Sequence, residues 1–330
     1  MKNVKIIKEI AQCDGGKDRV YVADNGLCIR DVVIEAGIGE EIFIGHLSDL
    51  HFNYCNQEDF AQADPVVMST YEYRLWNKDA SSVPKARKCL EFLRDADFIV
   101  INGDTLDYLS HGAMELMDRE VWDKYSNLIA TLGGHEIAKK MQGKVEETSS
   151  YYDRLNYLKS YWRHDVYYVS RLIKNKVLII GLLNDQAIHY EEQVQKLEAD
   201  LQLAREKGYI VLIFAHEAIA TKNPLHKNIT EADVLEVGDP SAFPKDFYNG
   251  TTRNQKMVGS ELCDEPAKAI YKLITGNADV VKGFFAGHLH NHIHLDIIAK
   301  TPSGENAVIP QYVNTATAYG DGHLMRILIK

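Results

Sequence analysis

The stretch Ile42-Phe43-Ile44-Gly45-His46-Leu47-Ser48-Asp49-Leu50-His51 is an apolar run that ends in a carboxylate and an imidazole. The apolar part reads as a buried strand. Asp49 and His51 are two apart, so a strand continuing through them would aim both side chains at the same side. A carboxylate and an imidazole placed that way can hold one cation. An Asp and a His after a strand also serve as a cap or a hydrogen-bonding pair, and what separates the two readings is repetition.

Working outward, the same arrangement recurs along the chain. Phe98-Ile99-Val100-Ile101 is followed by Asn102-Gly103-Asp104, and the β-rich run 127–132 gives way to Gly133-Gly134-His135-Glu136. The run 210–215 ends in His216-Glu217, and 280–286 ends in Gly287-His288-Leu289-His290. In α/β sheets the carboxyl ends of strands line the ligand crevice, so these distant residues are expected to meet. Their mixed nitrogen and oxygen donors suit manganese, iron or zinc better than calcium or magnesium. The donors are too many for one tetrahedral ion, and two divalent ions are the economical reading. Two ions about 3.5–4 Å apart clamp a phosphate, bring the pKa of a bound water near neutrality and stabilise the departing oxygen. That is phosphoester hydrolysis by direct attack of a metal-bound hydroxide, with no phosphoenzyme.

The intervening sequence supplies a scaffold. Upstream, 19–23 and 27–34 flank Asp24-Asn25-Gly26, a hairpin signal that predicts an antiparallel unit over 17–36. Helices are predicted from Ser82, with Ala86, Cys89, Leu90 and Leu93 on one face, and over 114–123, 151–162, 190–204 and from Pro266. The runs 166–173 and 177–183, split by Lys174-Asn175-Lys176, and the runs 308–313 and 324–329 read as further strands. Two long polar stretches, 52–82 and 221–260, read as loop insertions on the substrate side; the second is anchored by Phe243, Phe247 and Tyr248. With no internal repeat or linker, residues 1–330 are expected to form one domain.

The chain has 330 residues, 45% of them hydrophobic and 25% charged, an ordinary globular composition. Its 37 basic and 47 acidic residues leave a net charge of −10, which argues against sequence-independent nucleic-acid binding. No segment has the apolar length of a membrane span or a signal-peptide core, so a soluble, cytoplasmic protein is expected. The five cysteines are scattered without paired spacing, so neither a disulfide framework nor a zinc knuckle is indicated.

Taken in order, the motifs Asp49-Leu50-His51, Gly103-Asp104, Gly133-Gly134-His135-Glu136, His216 and Gly287-His288-Leu289-His290 resemble those of the calcineurin-like metallophosphoesterases. The resemblance runs from about residue 42 to the C-terminus. It implies an α/β fold, a four-layer α-β-β-α sandwich of two facing mixed sheets with flanking helices. It implies two divalent transition-metal ions: Asp49, His51 and His290 hold the first, Asp104 bridges, and His216 and His288 hold the second. His135 then contacts the phosphate and protonates the leaving group, a role suited to an imidazole. The substrate is a phosphomonoester or phosphodiester whose identity the loops would set.

The sequence departs from that pattern at Gly134, where the family carries an Asn whose side chain binds the second metal. The second site is therefore weaker and more open, or filled only when substrate phosphate adds a ligand. The alternative is a metal-bearing, non-catalytic interaction module.

Other polar residues have two readings each. Asp107 orients a ligand or caps a turn. His292 and His294 alternate with Ile293 and Leu295 as on a half-exposed strand, and His46 reads as a packed histidine. Asn184 and Asp185 replace the missing Asn or form a turn. Arg74, with Tyr71, Tyr73 and Trp76, contacts substrate or packs on the domain.

Overall fold

Fourteen strands and seven α-helices are laid out in a computed structural model that describes residues 4–62, 82–138, 151–184, 190–219, 234–235 and 265–330. In chain order they are β1 (Ile6–Cys13), β2 (Asp18–Ala23), β3 (Cys28–Ile34), β4 (Ile42–Leu47), α1 (Gln57–Gln62), α2 (Ser82–Phe92), β5 (Phe98–Asn102), α3 (His111–Met117), β6 (Leu128–Thr131), α4 (Gly134–Ala138) and α5 (Tyr151–Tyr161). There follow β7 (Tyr168–Ile173), β8 (Val177–Leu182), α6 (Glu191–Lys207), β9 (Ile210–Ala215), β10 (Val234–Leu235), α7 (Glu265–Thr275), β11 (Val281–Ala286), β12 (His292–Lys300), β13 (Asn306–Val313) and β14 (His323–Ile329).

Two seven-stranded mixed sheets result, in the orders β1-β2-β3-β14-β4-β5-β6 and β10-β12-β13-β11-β9-β8-β7. Their parallel centres, β4-β5-β6 and β8-β9-β11-β13, are apolar because both faces are covered. Between the sheets lie Val32, Ile44, Val100, Leu212, Phe214 and Phe285. On the outer faces, α2 buries Ala86, Cys89 and Leu90, α6 buries Leu197, Leu201 and Ala204, and α7 buries Ala267, Ile270 and Ile274. The fold is the four-layer α-β-β-α arrangement that the motif order implies.

Buried polar side chains brace the two sheets. Asn102, at the end of β5, donates to the carbonyls of Ala215 and Phe285 (3.0 Å each) on the other sheet and accepts from Thr131 Oγ1 at 2.9 Å. Arg30 on β3 pairs with Asp18 and donates to the carbonyls of Val313 and Ile293 across the sandwich. His46 is fully buried with its ring 5.5 Å from that of Phe214 and 6.1 Å from that of Phe285. Burial lowers its pKa to about 3, so it packs as a neutral ring.

Several local expectations are revised. The hairpin over 17–36 forms as β2 and β3, but β1 joins it as an edge strand. Its Lys8, Glu9 and Gln12 among isoleucines suit a strand paired on one side only and partly exposed, which weakens the apolar signal. The helix expected over 114–123 starts at His111 and passes at Asp118–Trp122 into a wider helical turn. His292 is not half-exposed: it opens β12 completely buried, between β13 and β10. Lys174 and Asn175 have φ of 47° and 53° and form the tight turn joining β7 to β8.

Candidate metal centre

β4 stops at Leu47, so Asp49 and His51 do not share a strand face. They stand instead on a loop in which both residues adopt left-handed backbone, φ 54° and 47°. Asp104, His288 and His290 do the same after β5 and β11, with φ of 48°, 66° and 56°. Among the described residues, five of the seven non-glycine positions with positive φ are thus the Asp and His residues singled out from sequence. Each costs on the order of 1–3 kcal/mol, and such outliers cluster where function over-determines the backbone.

The surrounding loops are bonded to hold that conformation. The amides of Asp49 and His51 donate to the carbonyls of Gly103 and Asp104 (3.1 and 2.9 Å), stitching the β4 loop to the β5 loop. Gly103 at φ 75° leaves no room for a side chain, since a Cβ there would enter the His216 ring. Gly287 is equally constrained, because a Cβ would overlap Ser48 Oγ and approach Asp49 Oδ2. Glu136 accepts from the amides of Leu106 and Gly133 (2.8 Å each), which ties the β5 and β6 loops together. Burial, with Asp104 adding to it, pushes the Glu136 carboxyl up to about 8.

Six residues converge into two triads: Asp49 with His51 and His290, and Asp104 with His216 and His288, the donor atoms of each lying within 4.8 Å of one another. Asp49 Oδ1 is 3.0 Å from His290 Nε2, 4.0 Å from His51 Nε2 and 3.8 Å from His216 Nε2. Asp104 Oδ2 lies 3.2 Å from His216 Nε2, and its Oδ1 accepts from the amide of His135 at 3.0 Å. His51 Nε2 and His290 Nε2 face one another at 3.4 Å. The outward ring nitrogens of two of these histidines are engaged: His216 Nδ1 meets the Asn102 carbonyl at 2.9 Å, and His290 Nδ1 meets Tyr319 Oη at 2.7 Å. Fixing the outward nitrogen in this way sets the inward one for ligation.

Electrostatics favour a cation here. Burial works to raise the Asp49 carboxyl, but the imidazoles of His290 and His216 hold it below the usual carboxylate range. Asp104 is likewise held well down by His216 and His135 against its burial. Burial opposes charge on His216, yet Asp104 and Asp49 push it well above the ordinary histidine value, whereas burial lowers His288 to about 4. A proton on His216 therefore stands where positive charge is wanted, and His216 Nε2 is buried without a properly oriented hydrogen-bond partner among the described residues. An all nitrogen and oxygen donor set of this kind fits divalent transition metals.

His135 sits beside both triads at the start of α4. Its Nδ1 is 2.9 Å from Asp107 Oδ1, and its Nε2 is 3.8 Å from Asp104 Oδ2. Asp107 is therefore no mere turn cap: it also lies 3.4 Å from His51 Nδ1 and accepts from Asn53 Nδ2 at 3.0 Å. Asn102, Ser48 and Tyr319 had no sequence signal; only the first two adjoin a motif, and all three act through contacts distant in the chain. Asn184 does not reach the centre, because its amide group is bonded to the backbone N–H and carbonyl of Glu217 (3.0 and 2.7 Å). Asp185, Arg74, Tyr71, Tyr73, Trp76, Phe243, Phe247, Tyr248 and most of the two insertions lie outside the described residues.

The chain belongs to the calcineurin-like phosphoesterase family, whose sequence profile it matches over residues 44–292. Among solved structures it is similar to a dimetal phosphatase from Danio rerio, 15% identical over 83% of this chain and 87% of that one, TM-score 0.45. It is similar also to purple acid phosphatase PPD1 from yellow lupin, Lupinus luteus (13% identical, 94% and 48% covered, TM-score 0.43). A third is a 5'-nucleotidase precursor from Thermus thermophilus (12% identical, 82% and 48% covered, TM-score 0.37). The chain spans about half the length of the lupin and Thermus proteins. Among curated proteins nothing matches it. Among the described residues no helix is long and apolar enough to cross a membrane.

Proposed function

We propose that the chain is a metal-dependent phosphoesterase that hydrolyses a phosphomonoester or phosphodiester at a two-ion centre. In this reading Asp49, His51 and His290 hold one divalent cation, His216 and His288 hold the other, and Asp104 serves both. When bound, the ions supply Lewis acidity, activating water near neutral pH and neutralising charge on the phosphoryl oxygens. The observation that carries the reading is the pair of Asp/His triads, built on left-handed turns at the carboxyl ends of strands from both sheets.

The chain's own residues supply the rest of the chemistry. Asp49, His51, Asp104 and His216 are buried, whereas the side chains of His135 and His290 retain 21% and 25% exposure. Substrate therefore approaches from the His135 and His290 side. Asp107 holds His135 Nδ1–H, which fixes the ring and leaves Nε2 to hand a proton to the leaving oxygen. Such a proton transfer contributes about 10²–10⁴-fold. Gly134 offers no side chain at the second site, and Asn184 is bonded to Glu217, so among the described residues Asp104, His216 and His288 would be its protein ligands. Three protein ligands with a water suffice for a catalytic ion.

Metal content by mass spectrometry on freshly purified protein, beside hydrolysis of an aryl phosphate monoester and diester with added manganese, tests this. About two ions per chain and turnover lost in His135→Ala are expected. Full metal content with no turnover of either ester would replace the enzyme by a non-catalytic interaction module.

A further inference from the structure

A second kind of metal-capable cluster lies apart from the two triads. Cys28 opens β3, His323 opens β14 as its direct partner across the parallel ladder, and His292 opens β12 on the opposite sheet. Their ligand atoms lie within 4.8 Å of one another, and all three residues are buried. Cys28 Sγ is 3.9 Å from His292 Nε2, and the two imidazole rings are 5.6 Å apart between centres. With Zn–S of about 2.3 Å and Zn–N of about 2.0–2.1 Å, the sulfur-to-nitrogen edge of a tetrahedral site is about 3.6 Å. The Cys28–His292 edge is within a few tenths of an ångström of that length, and the other two edges lie within 4.8 Å.

Unmet hydrogen bonding marks the cluster further. The Nδ1 atom of His323 is buried with no hydrogen-bond partner among the described residues; that of His292 is too, but it lies across the ring from the Nε2 that faces Cys28 Sγ. Buried nitrogens are rarely left so, because the lost hydration is costly. The polar groups beside them are satisfied: Arg30 takes Asp18 and two carbonyls, and Asp18 also meets His294 at 3.2 Å.

The geometry points to a third cation site, in which Cys28 Sγ, His292 and His323 together hold one zinc ion that fastens the first sheet to the second. One thiolate and two imidazoles form a donor set that zinc takes, as copper also does, and water would complete the zinc tetrahedron. Binding exchanges the Cys28 thiol proton, released to solvent, for the sulfur–zinc bond. The ion lies beside the segment 314–323, which carries Thr317 Oγ1 to the His323 carbonyl (2.9 Å) and Tyr319 to His290. It would therefore brace the turn that orients a residue of the two-ion centre without taking part in hydrolysis.

Among the described residues the two-ion centre contains no sulfur ligand, so sulfur reports on the third site. The full chain, loaded with zinc, should show a sulfur scatterer at about 2.3 Å in its zinc X-ray absorption spectrum. Loaded with cobalt(II), it should show a near-ultraviolet thiolate-to-cobalt charge-transfer band. Cys28→Ser should abolish both signals and lower zinc by one ion per chain. Cys89→Ser, whose thiol meets the His323 carbonyl at 3.6 Å, should leave them intact. Absence of both sulfur signals from the wild-type protein overturns the site, and so does their survival in Cys28→Ser. If Cys28→Ser does not fold, the wild-type spectra and His323→Gln still decide. Phosphoester turnover is read separately, so loss of either proposal leaves the other standing.

Discussion

His135 Nδ1 and His51 Nδ1 both stand against one carboxylate oxygen, Asp107 Oδ1, the first hydrogen-bonded at 2.9 Å and the second 3.4 Å away. A single buried carboxylate thus orients both the proposed proton donor and a proposed metal ligand. Asp107→Asn keeps the volume and removes the charge. It is expected to lower kcat by about 10²-fold, within the range of a misoriented acid, with KM changed little. Steady-state kinetics with metal content measured on the same samples checks this, and an unchanged kcat at full metal loading would remove Asp107 from the mechanism.

Gly134 heads α4 next to the centre and contributes no donor. Gly134→Asn is expected to restore a second-site ligand and to lower the manganese concentration for half-maximal activity by about tenfold, the lower end of what outer metal contacts are worth. A manganese titration of the variant checks it. An unchanged midpoint would mean that the three remaining ligands already saturate the site.

Asn102 carries three buried hydrogen bonds, two of them across the sandwich. Asn102→Ala strands the carbonyls of Ala215 and Phe285, each costing about 1–3 kcal/mol. A total loss of about 3 kcal/mol in urea unfolding is expected, while the Asn102 backbone carbonyl that meets His216 is retained. Unchanged stability would show that the sheets close without this brace.

Asp18 and Arg30 form a fully buried pair at 2.7 Å. Burial alone would raise the Asp18 carboxyl, but the Arg30 guanidinium brings it from 3.8 to about 2. Because the folded value is depressed, the stabilisation is present above pH 3.8 and is lost as pH falls toward 2. It amounts to about 2 kcal/mol at neutral pH, at about 1.4 kcal/mol per pK unit. Acid unfolding of Asp18→Asn should show that part of the pH dependence missing, while the wild type retains it.

Much of this protein was legible locally. Apolar runs that end in Asp or His mark the parallel strands, and their order along the chain carries the family motifs. Strand and helix periodicity depend on near neighbours, so they survive in sequence. The edge strand β1, and β12, which only the two-residue β10 covers on its outer side, were harder, because partial exposure mixes lysine, aspartate and histidine into the apolar pattern.

The sequence by itself determined the strand-end positions of Asp49, His51, Asp104, His135, His216, His288 and His290, and the absence of a side chain at Gly134. Only the tertiary structure decided which of them face one another, because the ordering of strands within and between sheets joins residues up to 241 positions apart. It also decided the left-handed turns that aim them, the Asp107 carboxylate beneath His135, and the meeting of Cys28, His292 and His323. Those depend on through-space distance, to which the local pattern of side chains is blind.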